Sequence, residues 1–203
     1  MNARSLKAAL LKPLRCVRRG YAGFVLLAVF TTSLGAAEPG PRTLLVLPFD
    51  MVDTSLQGEM NHGPLAADVA RLQRTEQVVR RALAARDEFD LVEREPIAAQ
   101  IEDAQQSYRY LYACNGCEID LGRAAGAELV LTGWVQKVSN LIININATLY
   151  DVERGEAIGG ASVDMRGNTD STWRAAALYL VNHSLPANYH SRQNAEAQQS
   201  PPP

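Results

Sequence analysis

The sequence predicts an α/β (α+β) fold, a single mixed sheet of about five strands with helices packed on it. Three observations carry this reading: a nearly continuous apolar run over residues 43–50 (TLLVLPFD), strict alternation over 140–151, and apolar residues at helical spacing between Leu65 and Leu83. The chain has 203 residues, 47% hydrophobic and 21% charged, which argues against a disordered, fibrous or polytopic membrane protein. Six basic residues precede the first acid, Glu38; residues 38–203 then carry 14 basic and 22 acidic side chains, a net charge of −8. That balance argues against nucleic acid as a partner, because phosphate backbones need clustered cations.

Residues 21–32 (YAGFVLLAVFTT) form an apolar run behind the basic segment. At about a dozen residues it falls short of the ~20 needed to span a bilayer and fits a signal-peptide core. Residues 1–37 are therefore expected to be a signal peptide cleaved after Ala37, with Gly35 and Ala37 as the small residues at the cleavage site. No Cys follows Leu34-Gly35-Ala36, so a lipidated amino terminus is not expected. Arg18-Arg19 leaves the general secretory and twin-arginine routes both open. A periplasmic location follows, with no stable membrane span after cleavage.

After a linker at 38–42, residues 43–50 suit a central strand covered on both faces. Residues 51–63 read as a loop leading to Pro64 at a helix start. Leu65, Val69, Leu72, Val79 and Leu83 share one face of that helix. Residues 89–92 alternate as a short strand, and Pro96 opens a second helix with Ile97, Ile101 and Ala104 turned inward. Residues 118–125 make a short helix ended by Gly126, and 129–137 (LVLTGWVQK) another strand. Over 140–151, Leu141, Ile143, Ile145, Ala147 and Leu149 point one way and Ile142, Asn144, Asn146, Thr148 and Tyr150 the other. A tight return at 153–155 leads into an antiparallel partner at 157–165. Thr169 or Asp170 caps a last helix whose Trp173, Ala177 and Leu180 share a face. The domain is placed at 43–185. The Pro-, Gln- and Ser-rich residues 186–203 are expected to be disordered.

Cys114 and Cys117 are expected to form a short-loop disulfide, since Asn115-Gly116 supplies the flexible turn. A c-type haem site needs His at 118, where Glu stands. A zinc site needs two further ligands, and His62, His183 and His190 are widely spaced. A thioredoxin-like pair would directly follow a buried strand, whereas residues 108–112 follow a helical pattern. No metal and no cofactor is assigned.

Residues 136–140 join two strands, and 166–170 join the meander to the last helix. If those strands pair, both polar runs meet at one end of the sheet with Trp134 and Trp173 nearby. The candidate partner-binding set is Trp134, Lys137, Ser139, Asn140, Arg166, Asn168, Asp170 and Trp173, because Trp and Arg dominate binding hot spots. Structural roles compete for the same residues: Asp170 as a cap, Asn168 as a turn residue, Arg166 in a local ion pair, Trp173 in the core. No nucleophile elbow or Gly-rich phosphate loop is present, so no catalytic residue is assigned. Asp50 and Asp53 lie at the carboxyl end of the first strand, where α/β sheets often bind ligands.

Three stretches in order, 45–50 (LVLPFD), 91–94 (LVER) and 125–135 (AGAELVLTGWV) followed by 149–155 (LYDVERG), resemble an envelope-protein group. That group includes the amino-terminal domain of TolB, the curli secretion protein CsgG and the penicillin-binding-protein activator LpoB. The runs 133–142 (GWVQKVSNLI) and 165–170 (MRGNTD) are also similar to those of a secreted bacterial family of unknown function. The resemblance covers about residues 43–165 and implies a TolB N-terminal-domain-like fold whose relatives bind other envelope proteins or assemble, with no shared catalytic residues. The expectation is an exported, non-enzymatic accessory protein that binds an envelope or periplasmic protein. The alternatives are a thiol-disulfide protein using Cys114 and Cys117, and a small-ligand binding protein.

Overall fold

The computed structural model describes residues 40–199. The expected signal peptide, its cleavage after Ala37 and residues 200–203 lie outside the described residues.

The opening apolar run is two strands. In β1 (Arg42–Val46), Leu44, Leu45 and Val46 are all fully buried, because helices cover both faces of the sheet here. β1 pairs in parallel with β3 (Phe89–Leu91) on one side and β4 (Leu129–Lys137) on the other. Along β4, Val46 opposes Leu131 while Asp50 opposes Trp134, so the first chain spends one more residue than its partner. Pro48 sits in that gap and has no N–H to give a ladder. The Phe49 ring lies flat over Gly133, where a Cβ would come within 2.2 Å of it. The Phe49 N–H donates to Glu76 Oε2 at 3.1 Å, and Glu76 also pairs with Arg94.

The strand then resumes as β2 (Asp50–Asp53), still parallel to β4. The expected loop at 51–63 is thus corrected: its start is strand, and α1 (Leu56–Met60) follows, capped by Ser55 Oγ accepting from the Gly58 N–H at 3.1 Å. β4, β5 (Ile143–Asp151) and β6 (Glu156–Met165) form the antiparallel meander, giving the order β3-β1-β4-β5-β6 with β2 beside the far part of β4.

One sheet face is covered by α2 (Ala66–Ala84), α5 (Asp170–Tyr179) and α6 (Leu185–Gln199). There Leu44, Val46, Leu131, Ile145 and Leu149 meet Leu72, Val79, Leu83, Trp173 and Leu180. The other is covered over β1 and β4 by α3 (Ala98–Ser107), α4 (Cys117–Ala125) and the 3₁₀ turns Glu95–Ile97 and Leu111–Ala113, with Ile97, Ile101, Leu111, Ile119 and Leu121 on Leu45, Leu47 and Val130. α4 ends at Gly126, whose φ of 67° is the left-handed conformation that ends helices. Thr169 caps α5, in a reciprocal box with Thr172.

Three further expectations change. Leu65 is half-buried and Val69 is exposed; Asp68 and Thr75 take the inward positions, so the buried stripe of α2 is Asp68, Leu72, Thr75, Val79 and Leu83. β5 starts at Ile143, which leaves Leu141 and Ile142 at an exposed hairpin tip. The chain beyond Pro186 is helical, not disordered, through Gln199. Leu185 and Tyr189, one turn apart, are buried against the sheet, Asn188 Nδ2 donates to the Gly160 carbonyl at 2.7 Å, and Arg192 donates to that of Ala157. α6 thereby covers backbone acceptors of β6, whose other neighbour β5 leaves it at the sheet's edge. A π-helical turn, Leu180–Ser184, precedes Pro186, which cannot donate to the carbonyl four residues back.

Candidate functional site

The last residue of β4 organises one end of the sheet. Alternation from Val135 turns Lys137 toward α2, where its side chain is wholly buried. Its Nζ stands 2.6 Å from Asp68 Oδ2 and 3.4 Å from Asp53 Oδ2, both carboxylates being buried as well. Asp53 Oδ1 accepts from the Ser55 N–H (3.0 Å) and O–H (2.6 Å). Asp68 Oδ1 accepts from Arg71 Nη1 (2.6 Å) and Asn168 Nδ2 (2.8 Å). Asn168 Oδ1 takes Arg71 Nη1 (3.0 Å) and the Trp173 indole N–H (2.9 Å), and its Nδ2 reaches Asn140 Oδ1 at 3.2 Å. Arg71 Nε and Arg74 Nη2 both donate to Asp170.

Taking an ammonium out of water is costly unless opposite charge and hydrogen bonds surround it. Here every partner supplies them. Burial alone would raise Asp68, but hydrogen bonds from Lys137 and Asn168, with the charges of Lys137 and Arg71, outweigh it and hold its carboxyl below the usual carboxylate range.

The candidate binding residues therefore divide. Lys137 and Trp173 are wholly buried, so neither presents its side chain to a partner; Lys137 pairs with Asp53 and Asp68, and Trp173 packs in the core. Asn168 and Asp170 serve this internal network. Trp134 alternates onto the opposite sheet face from Lys137 and stacks on Tyr112, ring centroids 4.3 Å apart, so it does not join Trp173. Ser139 Oγ accepts from the N–H groups of Leu141 and Ile142 and shapes the β4–β5 hairpin. Asn140 and Arg166 are exposed. Sequence reasoning named Asp53 only as a ligand-binding candidate beside Asp50 and missed Asp68 and Arg71; the available signal was that Asp68 falls on the stripe of Leu72, Thr75, Val79 and Leu83.

Above this network lies an apolar ledge. Leu56 (72% exposed) and Met60 (74%) of α1 border one hollow with Val138 (46%), and Leu141 (71%) and Ile142 (61%) of the same hairpin border the next. A hollow of about 640 Å³ lies between α1 and Val138–Asn140, and another of about 580 Å³ between Leu141–Ile143 and Asp164–Arg166. Clustered exposed apolar side chains with a polar rim mark interaction sites.

On the opposite face, Asp50 Oδ2 accepts the Tyr112 N–H at 2.9 Å. Burial pushes the Asp50 carboxyl up to about 6, against the backbone N–H groups of Tyr112 and Leu111. Cys114 and Cys117 form a disulfide, their Cα atoms 5.6 Å apart, and Asn115 (φ 59°) and Gly116 (φ 127°) make the left-handed turn it needs. Glu118 Oε2 accepts the Gly116 N–H beside the bridge. Cys114, Cys117 and Glu118 are close enough to share an ion, but with the sulfurs bonded to each other the trio is not an open ligand set.

Residues 42–185 match a family described as a protein of unknown function (DUF2380). The chain belongs to this family. Among curated proteins there is no significant match. The domain is similar in structure to the LpoB C-terminal domain from Salmonella enterica, with 21% identity, 64% of this chain and 87% of that chain covered, and a TM-score of 0.43. It is similar to PelC from Paraburkholderia phytofirmans, determined as a dodecamer, at 13% identity with 74% and 93% covered and a TM-score of 0.44. Lipoprotein GNA1162 from Neisseria meningitidis matches at 17% identity, with 79% and 99% covered and a TM-score of 0.39. Among the described residues of this family member, no helix is long and apolar enough to cross a membrane.

Lys137→Met takes from buried Asp53 the cation it pairs with and from Asp68 one of its two, Arg71 remaining, and is expected to cost roughly 3–5 kcal/mol in denaturant unfolding. The triple change Asp53→Asn, Asp68→Asn and Lys137→Met removes all three charges and should recover most of that loss. For Asp50 the folded carboxyl is raised to about 6, above its unfolded value near 4, so the ionised form opposes folding above pH 6 and the penalty fades as pH falls toward 4. Asp50→Asn, which keeps an acceptor for Tyr112, should raise the Tm at pH 8 and not at pH 4; equal shifts at both would contradict the assignment.

Proposed function

We propose that this domain is an exported, non-enzymatic accessory protein of the periplasm that docks an envelope protein on the ledge of Leu56, Met60, Val138, Leu141 and Ile142. The observation that carries this reading is the ledge itself: five large apolar side chains held in water at the one end of the sheet that the buried network braces. Two of its elements, α1 and the β4–β5 hairpin, are short and have no core of their own. The Thr54 N–H donates to the Lys137 carbonyl at 2.9 Å and the Asn140 side chain meets Asn168, which ties both to the network. A preformed surface loses less side-chain and loop freedom on binding, so apolar contact there converts more fully into affinity. Arg166 and Asn140 stand at its rim, where polar groups set register and encounter rate.

The basic and apolar leader pattern at 1–37 supports export, and the resemblance at 43–165 to envelope domains that bind other proteins supports the class of partner. With the cysteines bridged outside any strand-to-helix turn, the pair serves this reading as a staple of the loop before α4.

Leu141→Asp with Ile142→Asp places two charges at an exposed tip and should leave the Tm unchanged. Pull-down from envelope extract with this variant is expected to lose at least ~10-fold of the partner captured by wild type, as truncating a hot spot does. Trp134→Ala, on the opposite sheet face, should retain it. Full retention of every partner by the folded Asp variant would refute the ledge as the docking surface.

A further inference from the structure

The cleft between α2 and α5 carries a concentration of positive charge at odds with a domain of net charge −8. Arg71, Arg74, Val78 and Arg81 follow one another at spacings of three, four and three along α2, one stripe of the helix. α5 faces that stripe with Asp170 and, one turn on, Arg174. Together with Thr75 they line a cavity of about 260 Å³. Of its four guanidinium groups, Arg71 is taken up by Asp68 and Asp170, and Arg74 by Asp170. Arg81 and Arg174 are exposed and meet no acid among the described residues. Asp170 is held below the usual carboxylate range by the hydrogen bonds from Arg71 and Arg74, so it stays an anion that orients those two.

We propose that this cleft is a binding site for a phosphomonoester. Two guanidinium groups remain without counter-charge, which matches a group carrying about two negative charges at neutral pH. A guanidinium fork matches two phosphate oxygens, so Arg81 and Arg174 grip the group from opposite helices while Arg74, already oriented by Asp170, directs its remaining donors inward. The Val78 side chain and the aliphatic stems of the arginines supply an apolar floor for the esterified carbon. One small cleft in an acidic domain suits a single phosphate group and not a polyanion tracked along the surface. The site lies apart from the ledge and does not depend on the docking reading.

The test titrates the full chain with glycerol 3-phosphate, read by calorimetry and by ³¹P NMR, and pairs it with co-sedimentation on phosphatidic acid and phosphatidylcholine vesicles. Wild type should bind glycerol 3-phosphate saturably, more weakly at pH 5 than at pH 7.5 because the phosphate loses charge near pH 6. Arg81→Ala with Arg174→Ala, both exposed positions, should weaken it roughly 10-fold or more, while Arg166→Ala leaves it unchanged. Sedimentation with phosphatidic acid that the same double variant loses assigns the phosphate to a lipid headgroup; binding of the soluble ester alone assigns it to a free one. No saturable binding up to ~10 mM, or equal affinity in the Arg81/Arg174 variant, would overturn the site.

Discussion

A lysine ammonium with no exposed surface dictates how one end of this sheet is built. Lys137 closes β4, and the alternation that makes β4 a good strand leaves its side chain no route to water. Two carboxylates must therefore come to it from two different elements. Asp53 comes from the end of β2, which exists only because the chain recovers its parallel register after Pro48, and Asp68 comes from the first turn of α2. The inward turn of Asp68 at the expense of Val69 follows from the same demand. Arg71, Asn168 and the Trp173 indole then satisfy what Asp68 leaves open.

The network links chemistry to surface. The groups that neutralise Lys137 also hold the segments from which the exposed apolar residues project, so an energetically expensive interior supports a shaped exterior. The other sheet face uses different means. Aromatic stacking of Trp134 on Tyr112, the Asp50 contact to the Tyr112 backbone and the Cys114–Cys117 bridge fix the irregular segment between α3 and α4. The regular structure of that segment is one short 3₁₀ turn, Leu111–Ala113, so local constraints replace extended ladders.

Much of the fold could be read from the chain. The apolar run of β1 announced burial on both faces, the alternation in β5 announced the meander, and Cys-Asn-Gly-Cys announced a bridged turn. What escaped was set by tertiary partners. A continuous run through Pro48 hides a one-residue slip that only the parallel partner reveals. Residues after Pro186 look like a solvated tail because their polar side chains outnumber Leu185 and Tyr189, yet Asn188 and Arg192 find carbonyls on β6. At the site, Asn140, Arg166 and Ser139 were legible as belonging to one end of the sheet. Trp173 was legible as a core residue from the face it shares with Ala177 and Leu180, whereas Lys137 was not legible as an interior group, because charge alone does not say which way a strand-terminal side chain turns. The exposure of Leu141 and Ile142 depends on where β5 begins, a boundary that alternation does not mark.

The burial of Lys137 as a paired cation is open to direct observation. In ¹H–¹⁵N NMR of lysine side chains, an ammonium enclosed by Asp53 and Asp68 should give a resonance whose protons exchange slowly with water at neutral pH. It should vanish in Lys137→Met and persist as the pH is lowered until Asp68 protonates below the usual carboxylate range. Rapid exchange at neutral pH, like that of a surface lysine, would contradict the closed network and with it the bracing of the ledge.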